Sequence, residues 1–241
     1  MKKYILIATM LMIAGAKAFA QPSSMDSNTV KASLELNNIQ TASTAYDNQQ
    51  FSISIISSDG TVSDTIAGTC SIQGDNYRAV FDSIEQVQNN FINLEVHYNG
   101  KIIVANQPVA FTRQFLKGNL DDNLFQAMNV STLGITTSGS DKNLVFTFLP
   151  ESEYEEYKIT YNPANYRVSE VFMKMRVPDG TGGYASGVFT TARITLGSFV
   201  TITPGSVSFD TTPFVQFATG NVLQKQAAYS DYELVNMMGV Q

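Results

Sequence analysis

The chain has no tryptophan, one cysteine and one histidine among 241 residues. Each shortage excludes something. A single cysteine, Cys70, cannot form an internal disulfide. It stands in an alternating strand pattern, where a thiol serves as a small buried apolar side chain. A single histidine, His97, has no second imidazole and no cysteine pair with which to complete a zinc site. It alternates with Leu94, Val96 and Tyr98, which places it on the opposite strand face and reads as solvent-facing. No metal, no cofactor and no catalytic residue are expected.

Basic residues are also few, 15 Lys and Arg against 21 Asp and Glu. Such an acidic chain gains nothing from phosphate backbones or anionic lipid surfaces, so nucleic-acid and membrane-surface roles are not expected. Long apolar runs are absent except at the start. There Lys2 and Lys3 precede an apolar stretch from Tyr4 to Ile13, and Ala18-Phe19-Ala20 fits a small-x-small cleavage pattern. The run is too short to cross a bilayer, so residues 1–20 read as a secretory signal peptide. Its removal takes away Lys2, Lys3 and Lys17 and leaves 12 basic and 21 acidic residues, a net charge of −9. No cysteine follows Ala20, so the lipid-attachment pattern is missing. The expectation is a soluble, exported, periplasmic protein with residues 21–241 as a single domain.

What the chain does have is strand periodicity. Residues 26 to 44 first read as a polar-rich helix, capped at Asp26 or Ser27, with Val30 and Leu34 on one face at i,i+4 spacing. The period then changes to two. Phe51, Ile53 and Ile55 alternate with Ser52, Ser54 and Ile56, and Asp59-Gly60 supplies a tight turn. Further strands read at 65–73, 77–81, 84–88, 91–98 and 101–105. Asn99-Gly100 predicts a type I′ hairpin, whose two central residues need positive φ. A helical stripe of Leu116, Leu120, Leu124 and Met128 interrupts the meander, with a short helix predicted at about 119–128, started by Asn119, Asp121 and Asp122. Strands resume at 144–149, 154–161, 166–177, 188–202 and 209–217, and a tail at 229–238 completes the chain. The fold class predicted is α+β, one strongly curved antiparallel sheet with an N-terminal helix and a second inserted helix.

Catalytic patterns fail on inspection. The acidic run Glu151, Glu153, Glu155 and Glu156 leads into a strand and reads as a solvated edge that resists edge pairing. Gly180-Thr181-Gly182-Gly183 is followed by no Lys-Ser/Thr pair and lies in no parallel strand–helix unit, so it is a hairpin loop and not a phosphate cradle. No serine sits in a Gly-x-Ser-x-Gly elbow. The remaining material is apolar and aromatic, with 15 phenylalanines and 11 tyrosines. Two short helices cover such a sheet only in part, which leaves room for a ligand.

Gly68-Thr69-Cys70-Ser71-Ile72-Gln73-Gly74-Asp75-Asn76-Tyr77-Arg78 is similar to the "G-x-(apolar)-x-(apolar)-x-G-D-x-Y-R" segment of periplasmic outer-membrane lipoprotein carrier proteins, the LolA-like family. Tyr98-Asn99-Gly100-Lys101-Ile102-Ile103-Val104 takes the place of that family's "DGK" and aromatic strand. Tyr157 to Tyr161 and Tyr166 to Arg176 resemble its late hairpin, and Ala192 to Phe199 its "x-x-I-x-(apolar)-x-x-F" strand. The match spans most of residues 27–236. Departures are the absent "RP" segment and the absent tryptophan. The resemblance implies an unclosed β-barrel whose helices cap a concave apolar face that holds lipid or lipoprotein acyl chains. Arg78 is the one position the resemblance carries over, at the strand where the family places a pocket-related arginine. The candidate ligand-binding positions are Phe51, Ile53, Ile55, Tyr77, Arg78, Leu94, Val96, Met128, Phe146, Phe148 and Met173, with flexible Met128, Met173 and Met175 able to re-pack or to serve as ordinary core fillers. The implied protein is a freely diffusing, monomeric carrier. The alternative is a scaffold or adaptor with an envelope protein as its partner and no small-molecule ligand.

Overall fold

The computed structural model describes residues 27–114 and 129–238. A single α-helix, α1 (Ser27–Thr41), opens the described chain. It ends where Thr41 turns its hydroxyl back on the carbonyls of Asn37 and Asn38, and a short 3₁₀ turn, Ser43–Tyr46, follows. Fourteen strands then run in chain order: β1 (Gln49–Ser58), β2 (Ser63–Gln73), β3 (Asn76–Phe81), β4 (Ile84–Gln88), β5 (Asn93–His97), β6 (Ile102–Asn106), β7 (Val130–Ser138), β8 (Asp141–Phe148), β9 (Tyr154–Tyr161), β10 (Val168–Pro178), β11 (Tyr184–Thr201), β12 (Val215–Ala218), β13 (Val222–Lys225) and β14 (Glu233–Asn236). Twelve of them form one sheet in the order β14-β6-β5-β4-β3-β2-β1-β11-β10-β9-β8-β7, while β12 and β13 make a separate hairpin. The order has two ends, so the sheet does not close. The α+β class with a large open sheet is as expected from the sequence. The predicted inserted helix, with Leu116 to Met128, lies outside the described residues, as does the signal peptide.

The chain divides into two compact units. Unit 1 takes residues up to 42, 55–65 and 112–195, and unit 2 takes residues 43–54, 66–111 and 196–241. Strands β1, β2 and β11 are long enough to supply backbone to both.

In unit 1, β7 to β10 form an antiparallel meander that continues into β11. Helix α1 packs on β7 and β8 through Ala32, Leu36 and Ile39, which are all buried. Their i, i+4, i+7 spacing makes one narrow stripe. Val30 and Leu34 do share a face, as predicted, but it is the exposed one. Polar contacts reinforce the stripe. Glu35 of α1 meets Lys142 of β8 at 2.7 Å, and Asn38 donates to the Tyr166 hydroxyl at 3.2 Å. The outer face of the meander is amphipathic: Lys158 and Arg193 flank the Phe172 ring, and both pair with Glu170.

In unit 2, β2 to β6 form tight antiparallel pairs, and β14 returns to lie parallel on β6. This parallel edge departs from the all-antiparallel expectation. Residues 107–232 separate β6 from β14 in the chain, far more than a parallel crossover needs, and the β12–β13 hairpin lies just ahead of β14. Gly68 is required where β2 crosses β3, since a Cβ there would sit 2.1 Å from the Val80 carbonyl oxygen. The β5–β6 connection differs from the type I′ turn expected at Asn99-Gly100. Positive φ falls instead on Lys101 (φ 52), at the end of a four-residue loop between the paired His97 and Ile102. A loop of that length prefers a type I turn followed by one left-handed residue.

Three further readings change. Strands β7 and β13 are additions to the strands expected from the sequence. Residues 209–214 lie outside any strand. His97 is opposite Leu94 and Val96 as predicted, but it is buried, not solvent-facing.

Two outcomes follow from this packing. Leu36→Ala should cost about 2–5 kcal/mol in urea unfolding, because a buried side chain leaves a cavity under α1, whereas Leu34→Ala should stay within about 0.5 kcal/mol. The Asp59 turn should resist acid. Its carboxylate accepts hydrogen bonds from the Thr61 and Val62 amides and the Thr61 hydroxyl, which hold its pKa at about 2. A lowered carboxylate pKa protects above the unfolded value and is lost as pH falls through the folded one. Carboxyl ¹³C NMR should therefore show Asp59 titrating near pH 2, and a midpoint near 4 would remove the turn's electrostatic role.

Candidate functional site

Cross-strand partners in an antiparallel pair share a face, so the registers sort every candidate residue. In unit 1, Leu133, Phe146, Tyr157, Met173 and Ala192 stand opposite one another across β7 to β11. A second row beside it is Ile135, Leu144, Ile159, Val171 and Ile194. Ten positions on one face carry no charge. Phe146 meets Tyr157 edge-on with ring centroids 5.7 Å apart, and Phe148 lies 5.4 Å from Tyr154. Burial raises the pKa of both tyrosines, that of Tyr154 to about 12, so the phenols stay neutral. Phe146, Phe148 and Met173 are thus brought to one continuous apolar face, and Ile55, half-buried, belongs to the same unit. Met128 lies outside the described residues.

Unit 2 has two faces of opposite character. On the first, Tyr77 pairs across with Gln88, and Gln88 with Asn93; next to them come Ala79, Gln86 and Glu95, then Ile84 and His97. Phe51 and Tyr77 both pack on Phe111, at 5.6 and 5.7 Å, and Tyr46 and Phe199 complete a five-ring cluster. Phe51, Ile53 and Tyr77 are therefore buried, and the rings fill the surface around Phe51 and Tyr77. Cys70 lies on this face opposite Ala79, fully buried, and burial pushes its thiol well above the usual range. The buried inert thiol is as the sequence suggested.

On the second face, Leu94 and Val96 pair with Val87, Ala105 and Ile103. They are sealed beneath Phe214, Val215 and Leu223 in a core that Tyr229 and Leu234 also join. Arg78 is on this face too, opposite Ser71 and Val87. Its guanidinium holds the buried Glu85 carboxylate at 2.7 Å, and the Tyr98 hydroxyl donates to the other carboxylate oxygen at 2.7 Å. Arg78, Leu94 and Val96 consequently stand apart from Tyr77. A one-residue step along a strand is enough to separate them.

The polar side chains on the first face are those that sequence reasoning passes over. Gln88, Asn93, Glu95 and His97 are all buried. Asn93 donates to the Tyr77 hydroxyl at 2.8 Å and accepts from Gln86 at 3.4 Å, while Gln88 donates to the Asp75 carbonyl and accepts from the Val109 amide. Their alternation with apolar residues is the pattern of a half-exposed strand, so the sequence carries no signal that this face is covered.

Among the described residues, no group of three or more His, Cys, Asp and Glu side chains converges as a metal site would require, and no helix is long and apolar enough to cross a membrane. Of the acidic run, Glu155 pairs with Arg176, which also donates to the Leu149, Ser152 and Tyr154 carbonyls. Asp179 closes its glycine loop by accepting from Thr181 and Gly183.

No family model matches the chain, and no curated protein matches it. Solved structures do. The chain is similar in fold to a LolA superfamily protein from Nitrosomonas europaea (9% identity, TM-score 0.30, covering 74% of this chain and 94% of that one). It is also similar to an uncharacterised conserved protein from Thermus thermophilus (10%, TM-score 0.42, 86% and 99%) and to a DUF1329 family protein from Desulfovibrio piger (10%, TM-score 0.34, 78% and 99%). At such identities the likeness concerns the fold alone.

The placement of Arg78 yields a direct test. Arg78→Ala leaves Glu85 buried with Tyr98 as its remaining partner, and should cost about 1–3 kcal/mol in urea unfolding.

Proposed function

We propose that this is an exported, non-catalytic protein that binds a lipid or acylated ligand on the apolar sheet face of unit 1. One observation carries the reading. Ten cross-strand positions on β7 to β11 form an uncharged face, and α1, the one α-helix among the described residues, is laid on its β7–β8 end. Each methylene buried there contributes about 0.8 kcal/mol, so a chain of ~16 carbons gives roughly 10 kcal/mol gross. Met173, in the middle of the first row, is the side chain best able to re-pack around cargo of variable shape. Export follows from the reading of residues 1–20, and the carrier role from the sequence resemblance described above. Of the predicted ligand positions, Phe146, Phe148 and Met173 are retained for this face.

A second reading, a scaffold or adaptor in an envelope assembly, draws on unit 2. There the face around Phe51 and Tyr77 is filled by the protein's own rings, which suits a load-transmitting module with no small-molecule ligand.

The two separate cleanly in a binding experiment on the mature protein. Native mass spectrometry should show co-purified lipid, or a fluorescent fatty acid should bind and be displaced by an unlabelled one. Met173→Glu should weaken uptake by about tenfold or more, since a charge would then face the acyl chain. Val145→Glu, on the outer face opposite Lys158, should leave uptake unchanged, with circular dichroism confirming that both variants fold. Absence of bound lipid together with absence of displacement would leave the scaffold reading in possession.

A further inference from the structure

The open sheet has two edge strands, and they are guarded unequally. β14 is four residues long and carries Glu233, two features that discourage a further strand. β7, in unit 1, runs for nine residues, Val-Ser-Thr-Leu-Gly-Ile-Thr-Thr-Ser, without a charge or a proline. It pairs with β8 on one side alone, so the N–H and C=O groups of alternate residues point to an edge that no strand among the described residues fills. Ser131, Thr132 and Thr136 to Ser138 are exposed. Gly134 stands in the middle of the strand, and nothing described in this chain requires a glycine there. Its φ is not positive, and a Cβ would meet no described atom within 4 Å. A glycine inside a strand costs backbone entropy and marks a place where another backbone comes close.

We propose that β7 is a dimerisation edge, pairing antiparallel with β7 of a second copy of this chain about a two-fold axis at Gly134. The strand's own sequence selects that occupant. A two-fold axis sets residues equally far before and after it opposite one another, so a self-pairing strand must read alike in both directions. Thr132-Leu133-Gly134-Ile135-Thr136 does so. Leu133 faces the partner's Ile135, and Thr132 faces the partner's Thr136. Ser131, where the β7–β8 ladder is bulged, and Thr137 continue the match as hydroxyls. Branched aliphatic pairs and Thr–Thr pairs stabilise adjacent strands, whereas like charges directly opposite destabilise them, and β7 has no charge to oppose. The glycines meet at the axis, where each residue has to face itself. Such a contact consumes both edges and closes. It uses the edge of the sheet and not its apolar face, so it does not depend on acyl binding there, and it replaces the monomer that the sequence resemblance implies.

Analytical ultracentrifugation of the mature protein should show a dimer that dissociates on dilution. Thr132→Lys combined with Thr136→Lys sets like charges opposite one another twice across the axis, and should raise the dimer dissociation constant roughly tenfold. Thr132→Lys combined with Thr136→Glu sets opposite charges in the same two places, and should bring the constant back to within about threefold of the unsubstituted protein. Both threonines are exposed, and circular dichroism checks that both variants fold. A monomer at every concentration up to about 100 μM overturns the assignment and leaves this edge to a strand of another polypeptide. A dimer whose constant is the same in the two charge variants overturns it too, because the contact then lies elsewhere. Since fatty-acid displacement is read separately, a failure here leaves the acyl-binding reading standing, and the reverse holds equally.

Discussion

Strand β5 is buried on both faces, and the structure of unit 2 follows from that constraint. A strand covered on one side presents its polar residues to water at no cost. Here all five residues from Asn93 to His97 are covered, so each polar group on the strand needs a partner or becomes a liability. Leu94 and Val96 answer by joining the core under Phe214, Val215 and Leu223. On the neighbouring strand Glu85 does so by taking both Arg78 and Tyr98. Asn93 is satisfied by Tyr77 and Gln86. Glu95 Oε1 is met by His97 Nε2 of the same strand at 2.5 Å.

The period of two makes the strands legible. Where alternation is strong, as in Phe51-Ser-Ile-Ser-Ile or Tyr154 to Tyr161, the elements emerge within a few residues of their observed bounds. β7 escapes such a reading because its sequence, Val-Ser-Thr-Leu-Gly-Ile-Thr-Thr-Ser, is dominated by small hydroxyl side chains and has few apolar residues to mark a face. β13 is only four residues long. α1 is legible as a helix but not in its orientation: Val30 and Leu34 give the clearer apolar pair, yet the buried stripe is Ala32, Leu36 and Ile39.

The binding positions are legible as apolar strand residues and not as one surface. Alternation tells which residues share a face within a strand. It does not tell which face of the next strand they meet, since that depends on register and on turn length. Phe146 and Met173 come together because Tyr157 is opposite both. Leu94 and Val96, equally apolar, fall on the side away from Tyr77 because Asn93, the first residue after the turn, pairs with Tyr77's own partner Gln88 and so takes Tyr77's face for the odd-numbered residues. His97 shows the complementary failure. Its parity is readable from the sequence, but parity is silent on whether a face is wet or covered.

The two units thus divide the chemistry. In unit 1 the covered face is apolar from β7 to β11, and its polar anchors, such as Glu35 with Lys142, sit at the helix and not in the sheet centre. In unit 2 the covered face passes from aromatic rings at Phe51 and Phe111 to amides and a carboxylate at β4 and β5. An apolar chain laid on that second surface would have to be placed against hydrogen-bonded amides and a carboxylate, which offer it no hydrophobic gain. The two covered faces therefore differ in kind, hydrocarbon on β7 to β11 and amide and carboxylate on β4 and β5.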